Sequence, residues 1–315
     1  MDDGLITIFG GAGFIGRHLV RALAADGWRI RVVSRAPGLA GHLQPLGDVG
    51  QIVVQGLNGT DEASLAQLLD GSTAVVNLIG ILYETSSQRF DDVHGDFPGR
   101  LARAAVATNV RQMVHVSAVG ADEQSTSAYA RSKARGEVAV KDAFDSAVVI
   151  RPSIVIGPED DFFNRFAAMA RILPALPLIG GGKTRFQPVY VGDVAGAIVA
   201  ALEKEHAAGK TFEVGGPRTY SFEKLLRYML DVIGRKRLLV NLPFNLASLK
   251  ARFFELLPVP PLTRDQIELL KTDNVVGAEA LTLEDLGVSP TPIEMVAPAY
   301  LERYRTSPSR LEVPS

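Results

Sequence analysis

The stretch Leu5-Ile6-Thr7-Ile8-Phe9 runs directly into Gly10-Gly11-Ala12-Gly13-Phe14-Ile15-Gly16, and Arg17-His18-Leu19-Val20-Arg21-Ala22-Leu23 follows with helical periodicity. An apolar strand, a glycine turn and a helix in that order allow few folds. The spacing Gly10-x-x-Gly13-x-x-Gly16 suits a βα unit: one glycine makes the turn, one lets a ligand approach the backbone, and one lets helix pack on strand. The helix N-terminus then offers free N–H groups to an anion, so the turn reads as a pyrophosphate site.

Further apolar runs at Arg29–Val33, Gln51–Val54, Ala74–Ile79, Met113–Ser117 and Ala147–Arg151 alternate with helical patterns such as Ala63–Leu69 and Arg100–Ala107. Ala74-Val75-Val76-Asn77-Leu78-Ile79 is almost continuously apolar, as expected of a strand covered on both faces. The fold class is therefore α/β, a Rossmann-type doubly wound parallel sheet with a smaller C-terminal substrate-side region. Residues 1–152 form the dinucleotide domain. Beyond Pro152, prolines and glycines punctuate shorter elements over 153–305, and the chain re-enters the first domain around 186–214, with Asp193 as expected N-cap of a helix Val194–Leu202. The tail 306–315 is polar and contains proline.

With 315 residues, 47% of them hydrophobic, the chain can fill one large core or two smaller ones. A net charge of -2 gives no broad basic field, so no nucleic-acid partner is expected. The absence of cysteine removes disulfides, thiol catalysis and thiolate metal sites. Five histidines, at 18, 42, 94, 115 and 206, show no ligand spacing, and no metal is assigned. Asp91, Asp92, Asp160 and Asp161 read as solvated loop or helix starts. A strand within a few residues of Met1 leaves no room for a signal peptide, and no apolar run reaches the roughly 18 residues of a membrane span.

At the end of the second strand, where an acidic residue would bond the adenine ribose, the sequence reads Val33-Ser34-Arg35. Ser34, Arg35 and Arg17 could instead meet a 2′-phosphate, favouring NADP(H) over NAD(H), although two solvated arginines would look the same. Asn58, after the third strand, would lie near adenine. Tyr129 and Lys133 are four apart in a helical stretch and share a face. A lysine so placed stabilises tyrosinate and can bond the nicotinamide ribose, making Tyr129 a candidate general acid or base and Lys133 a ribose anchor.

The glycine turn, Tyr129 with Lys133, and Arg151-Pro152-Ser153-Ile154-Val155-Ile156-Gly157-Pro158 together resemble the extended short-chain dehydrogenase/reductases over almost the whole chain. Gly47-Asp48-Val49-Gly50-Gln51, Val76-Asn77-Leu78-Ile79-Gly80, Gln187-Pro188-Val189-Tyr190-Val191, Leu262-Thr263-Arg264-Asp265 and Leu283-Glu284-Asp285-Leu286-Gly287-Val288 resemble an atypical branch, the nucleotide-binding accessory subunits of respiratory complex I. That resemblance implies a retained NADPH with a structural role at the junction of the peripheral and membrane arms. The implied partners are other complex I subunits and the membrane surface or its subunits. The implied location is peripheral, on the cytoplasmic face of the respiratory membrane. Phe14, Ile15, Gly80, Ser117 and Pro152 complete the candidate nucleotide contacts.

Active relatives in the superfamily carry a serine or threonine beyond the fifth strand to polarise the substrate carbonyl. Here Ser117 belongs to the strand end, and the expected position is Val119. A non-catalytic binding role leads, and a free NADP-dependent reductase, epimerase or dehydratase is the alternative. Leu246, Leu249, Phe253, Leu256 and Leu257 fall on one stripe of a helix over 245–257, opposite Lys250 and Arg252. This helix could cover its own core or face a membrane or partner.

Overall fold

The computed structural model describes residues 4–255, 257–258 and 260–305; the expected tail at 306–315 and Leu256 of the apolar stripe lie outside them. From the N-terminus come β1 (Leu5–Phe9), α1 (Phe14–Ala25), β2 (Arg29–Ser34), β3 (Ile52–Gly56), α2 (Glu62–Leu69), β4 (Ala74–Asn77), α3 (Phe97–Ala107), β5 (Gln112–Val116), α4 (Ala128–Ala143) and β6 (Val148–Pro152). There follow β7 (Val155–Ile156), α5 (Phe163–Ile172), β8 (Ala175–Ile179), β9 (Arg185–Phe186), β10 (Val189–Tyr190), α6 (Val191–Glu203) and β11 (Thr211–Val214). The chain ends in β12 (Tyr220–Ser221), α7 (Phe222–Val232), β13 (Leu238–Leu242), α8 (Phe244–Phe254), α9 (Arg264–Leu269) and α10 (Ile293–Leu301).

The chain divides into two compact units. The first comprises residues up to Ser153 with Val191–Gly215 and Val276–Pro290. Its core is a parallel sheet in the order β11-β6-β5-β4-β1-β2-β3. All four residues of β4 are buried, as the covered-strand pattern requires. The strand order reverses between β1 and β4, which opens a crevice at the carboxyl ends of those strands. Helix α1 buries Gly16, Leu19, Val20, Leu23 and Ala24, the i, i+3, i+4 face of an amphipathic helix.

The return into this unit falls at Val191, where α6 starts. Asp193 stands inside the first helical turn, and not at the N-cap position assigned from sequence; an acidic residue there still meets the positive end of the helix dipole. The second return, Val276–Pro290, was not expected. Leu281 bridges to Phe212, its carbonyl accepting from the N–H of Glu213, and Glu213 Oε2 accepts from the Gly277 N–H at 2.9 Å. Glu213 also pairs with Arg151, which holds Glu137 of α4 through two hydrogen bonds of 2.9 and 2.7 Å. One partly buried arginine thus joins β6, β11 and α4.

The second unit comprises Ile154–Tyr190, Gly216–Val275 and the chain from Thr291. Its core gathers Phe163, Leu176, Phe186, Phe222, Leu226 and Ile267 among others. Helix α7 is capped by Ser221, and α9 by a capping box between Thr263 and Gln266. Asp160 is not solvated as expected. It is buried, accepting from the N–H groups of Gly157, Phe163 and Asn164 and from the Tyr300 hydroxyl at 2.6 Å, so its carboxylate is spent on joining the 157–164 turn to α10.

Helix α8 stops at Phe254, short of the expected 257. Its inward face is Ala247 and Ala251, while Leu246, Leu249 and Phe253 are exposed, as is Leu257 beyond its end. The apolar stripe faces solvent because the two alanines let the opposite side pack closely on the core.

Candidate functional site

The glycine turn lies at the carboxyl end of β1. Gly10 has φ +83°, a left-handed conformation suited to glycine, and a Cβ there would come within 3.1 Å of the Leu78 carbonyl carbon after β4. A Cβ on Gly16 would fall 2.5 Å from Gly11, so the third glycine lets α1 close on the turn. Gly13 is the N-cap of α1. No side chain caps this helix and no acidic residue stands in its first turn, where Phe14, Ile15 and Gly16 begin it. Its N-terminal donors and dipole are therefore left to an anion.

Ser34 closes β2, Arg35 follows it in an exposed position, and Asn58 is exposed just beyond β3. Ser34 Oγ accepts from the Ala36 N–H at 3.2 Å, which leaves its proton to donate. Arg17 is half-buried on α1. Within this unit the structure places these candidates at the ends of β1, β2 and β3, on the same edge of the sheet as the glycine turn.

The other half of the edge holds α4. Ser127 caps that helix, accepting from the Ala130 N–H, and Tyr129 and Lys133 follow on one face with Nζ 5.9 Å from the tyrosine ring centre. Lys133 is only 5% exposed. Burial pulls its pKa from 10.5 down to about 8, against the opposing pull of Glu137. Among the described residues Nζ has one hydrogen-bond acceptor, the Val116 carbonyl at 3.3 Å. Gly80 after β4 lies alongside; a Cβ on it would be 3.4 Å from Nζ.

Ser117 is buried, and its Oγ has no partner among the described residues. Val119, also buried, occupies the position assigned to the polarising hydroxyl, and its N–H donates to the carbonyl of Pro152 at 3.0 Å.

His94 and His115, which show no ligand spacing in the sequence, both come to this site. Asn77 Oδ1 accepts from the Ile79 N–H, so its amide nitrogen donates to His115 Nδ1 at 3.1 Å. That fixes the His115 proton on Nε2, a buried donor without an acceptor among the described residues. His94 sits in a wide π-turn segment, Asp91–Asp96, ahead of α3. Burial and the Lys133 cation hold both imidazoles neutral, with pKa values lowered to about 2 for His94 and about 3 for His115. No spacing in the sequence links positions 77, 94, 115 and 133. Adjacent strands and the α4 contact do.

The donors fit a nicotinamide dinucleotide. Lys133 Nζ, Ser117 Oγ and His115 Nε2 are buried groups short of acceptors, which is what hydroxyl and phosphate oxygens supply. The glycine turn leaves the N-terminus of α1, with no side-chain cap among the described residues, open to an anion. A parallel switch-point sheet with these parts is a dinucleotide-binding fold.

Residues 6–215 match the NAD dependent epimerase/dehydratase family, and the chain belongs to that family. It is 37% identical over 303 residues, covering 95% of this chain and 80% of the relative, to the mitochondrial NADH dehydrogenase (ubiquinone) 1 alpha subcomplex subunit 9 of Mus musculus. It is 34% identical over 242 residues, 76% of this chain and 74% of the relative, to the ceramide reductase of Caulobacter vibrioides. Among solved structures, the dTDP-glucose 4,6-dehydratase DesIV of Streptomyces venezuelae superposes with a TM-score of 0.72 at 19% identity, covering 95% of this chain and 96% of that one. That last likeness concerns the fold alone.

Proposed function

We propose that this chain is an accessory subunit of respiratory complex I that retains NADP(H) and stabilises the assembly without turning the nucleotide over. The observation that carries the reading is a site furnished for holding and not for reacting: buried Lys133 and Ser117 stand on the same carboxyl edge of the sheet as the glycine turn, while the hydroxyl position is a buried valine. The likeness to the mouse subunit over 95% of this chain supports the assembly role.

A nicotinamide dinucleotide, when bound, supplies or accepts a hydride. The chain's own groups would hold it. The α1 N-terminus at Gly13–Gly16 takes the pyrophosphate, and Lys133 takes the nicotinamide-side ribose. Arg17, Ser34 and Arg35 favour a 2′-phosphate, and Asn58 would lie near adenine.

Attachment would use the second unit. Leu238 and Val240 of β13 and Leu246, Leu249 and Phe253 of α8 are exposed, and residues 233–257 carry Arg235, Lys236, Arg237, Lys250 and Arg252 against the single acid Glu255. Apolar side chains among cations suit the surface of an anionic bilayer or a membrane subunit. No helix among the described residues is long and apolar enough to cross a membrane, and the contact we propose is a peripheral one.

The 34% identity to a ceramide reductase favours one second reading, an NADP-dependent reductase using Tyr129 as acid and Lys133 as ribose anchor. Native purification from gently solubilised membranes separates the two. The first expects this chain in a large respiratory assembly with stoichiometric, slowly exchanging NADPH. A free protein with rapidly exchanging nucleotide, and turnover abolished by Tyr129→Phe, would establish the reductase instead.

A further inference from the structure

We infer that His94 is the positioning residue that holds the Gly80 backbone beside Lys133, a role that rests on the nucleotide-retention reading and adds a residue to it. The evidence is a set of directed contacts. His94 Nε2 accepts from the backbone N–H of Ile81 at 3.0 Å, on the loop that leaves β4. Its Nδ1–H donates to Ser132 Oγ at 3.1 Å, and that hydroxyl donates onward to the Tyr129 carbonyl at 2.8 Å. The ring stacks on Phe90 at 5.4 Å between centroids and meets the edge of Tyr129 at 5.2 Å.

One imidazole therefore joins three segments: the loop with Gly80, the π-turn, and the helix that carries Tyr129 and Lys133. A Cβ on Gly80 would lie 3.5 Å from His94 Nε2 and 3.4 Å from Lys133 Nζ, so the histidine and the lysine flank the same glycine. The π-turn is what delivers the ring, since one extra residue in the helical ladder re-aims a side chain, and such bulges cluster at functional sites. Gly136 belongs to the same device, because a Cβ there would collide with the His94 carbonyl and push α4 away. Only the neutral ring can serve, with Nε2 as acceptor and Nδ1 as donor; Lys133 and His115 are the charged and titratable groups facing it, and burial beside them keeps it unprotonated.

The test compares His94→Phe, which keeps the aromatic stack but removes the acceptor, with His94→Gln, whose amide oxygen can replace Nε2 toward Ile81. Two quantities are read on the full chain. In nucleotide-free protein, amide hydrogen exchange at Ile81 should quicken by about tenfold or more in His94→Phe and return toward wild type in His94→Gln, since the part-buried N–H loses the bond that protects it. In loaded protein, NADPH dissociation should quicken about tenfold in His94→Phe, again with rescue by Gln. Unchanged exchange at Ile81 in His94→Phe overturns the inference. So does faster dissociation that Gln fails to rescue and that only follows a lowered melting temperature, for then the ring is mere packing. If wild type binds no NADPH while Ile81 still responds to substitution, the retention reading has failed and the loop-holding contact stands alone.

Discussion

The first unit buries a lysine, and the second exposes leucines and a phenylalanine. Both invert the usual sorting of residues, but at different cost. Lys133, 5% exposed, is a cation inside, so the fold carries its desolvation wherever the amine is protonated. Phe253, 65% exposed, and Leu249, 55% exposed, are apolar groups outside, which cost little folding stability because the unfolded chain exposes them too. On the function proposed above, the inward inversion serves a polar ligand and the outward one a surface to be covered.

A conventional core residue sets the scale. Leu225, fully buried on the inward face of α7, should lose about 2–5 kcal/mol of stability as Leu225→Ala, measured by urea unfolding. A loss near zero would mean that the second unit's core does not sort its residues by burial, and the contrast with α8 would collapse.

Next comes the lysine. Lys133→Met should raise the stability of the nucleotide-free protein by about 1–3 kcal/mol at neutral pH, while abolishing tight retention of NADPH. The sign follows from a pKa lowered from 10.5 to about 8. Below pH 8 the folded and unfolded chains both hold the proton, and the burial cost is fully present. Between 8 and 10.5 the unfolded chain binds more protons, so wild-type stability rises with pH and the advantage of methionine shrinks. Thermal melts across that window check it; an advantage independent of pH would show that the amine is better solvated than its surroundings imply.

The contrast also explains what could be read from the sequence. Strands β1 to β6, the glycine turn and the placing of Tyr129 and Lys133 on one helix are local, and the repeat of apolar residues carries them. Strand β11 has four residues and the return at Val276–Pro290 is held by bonds to Glu213, so neither has a local signature. His94 and His115 reach the site through the π-turn and the pairing of Asn77 with His115 across β4 and β5. Asp160 looks like any loop aspartate until Tyr300 arrives from the end of the chain. In α8 the periodicity reveals a stripe but not its direction. The alanines at 247 and 251 are the one hint, because small residues let that side approach the core.

That direction is open to the smallest effect. Leu249→Ser with Phe253→Ser should change folding stability by less than about 0.5 kcal/mol per site, since each residue stays mostly exposed in the folded chain. The same pair should abolish sedimentation with vesicles that contain an anionic phospholipid and release the chain from its assembly, whereas Lys133→Met should leave vesicle binding intact. The cations at 235–237, 250 and 252 should make that binding fall as salt rises, because attraction to the surface acts within a Debye length. Vesicle binding that survives the double substitution would assign the attachment to the cations alone. A stability loss comparable to Leu225→Ala would instead place the stripe in a core of this chain, and the two inversions would no longer be of a kind.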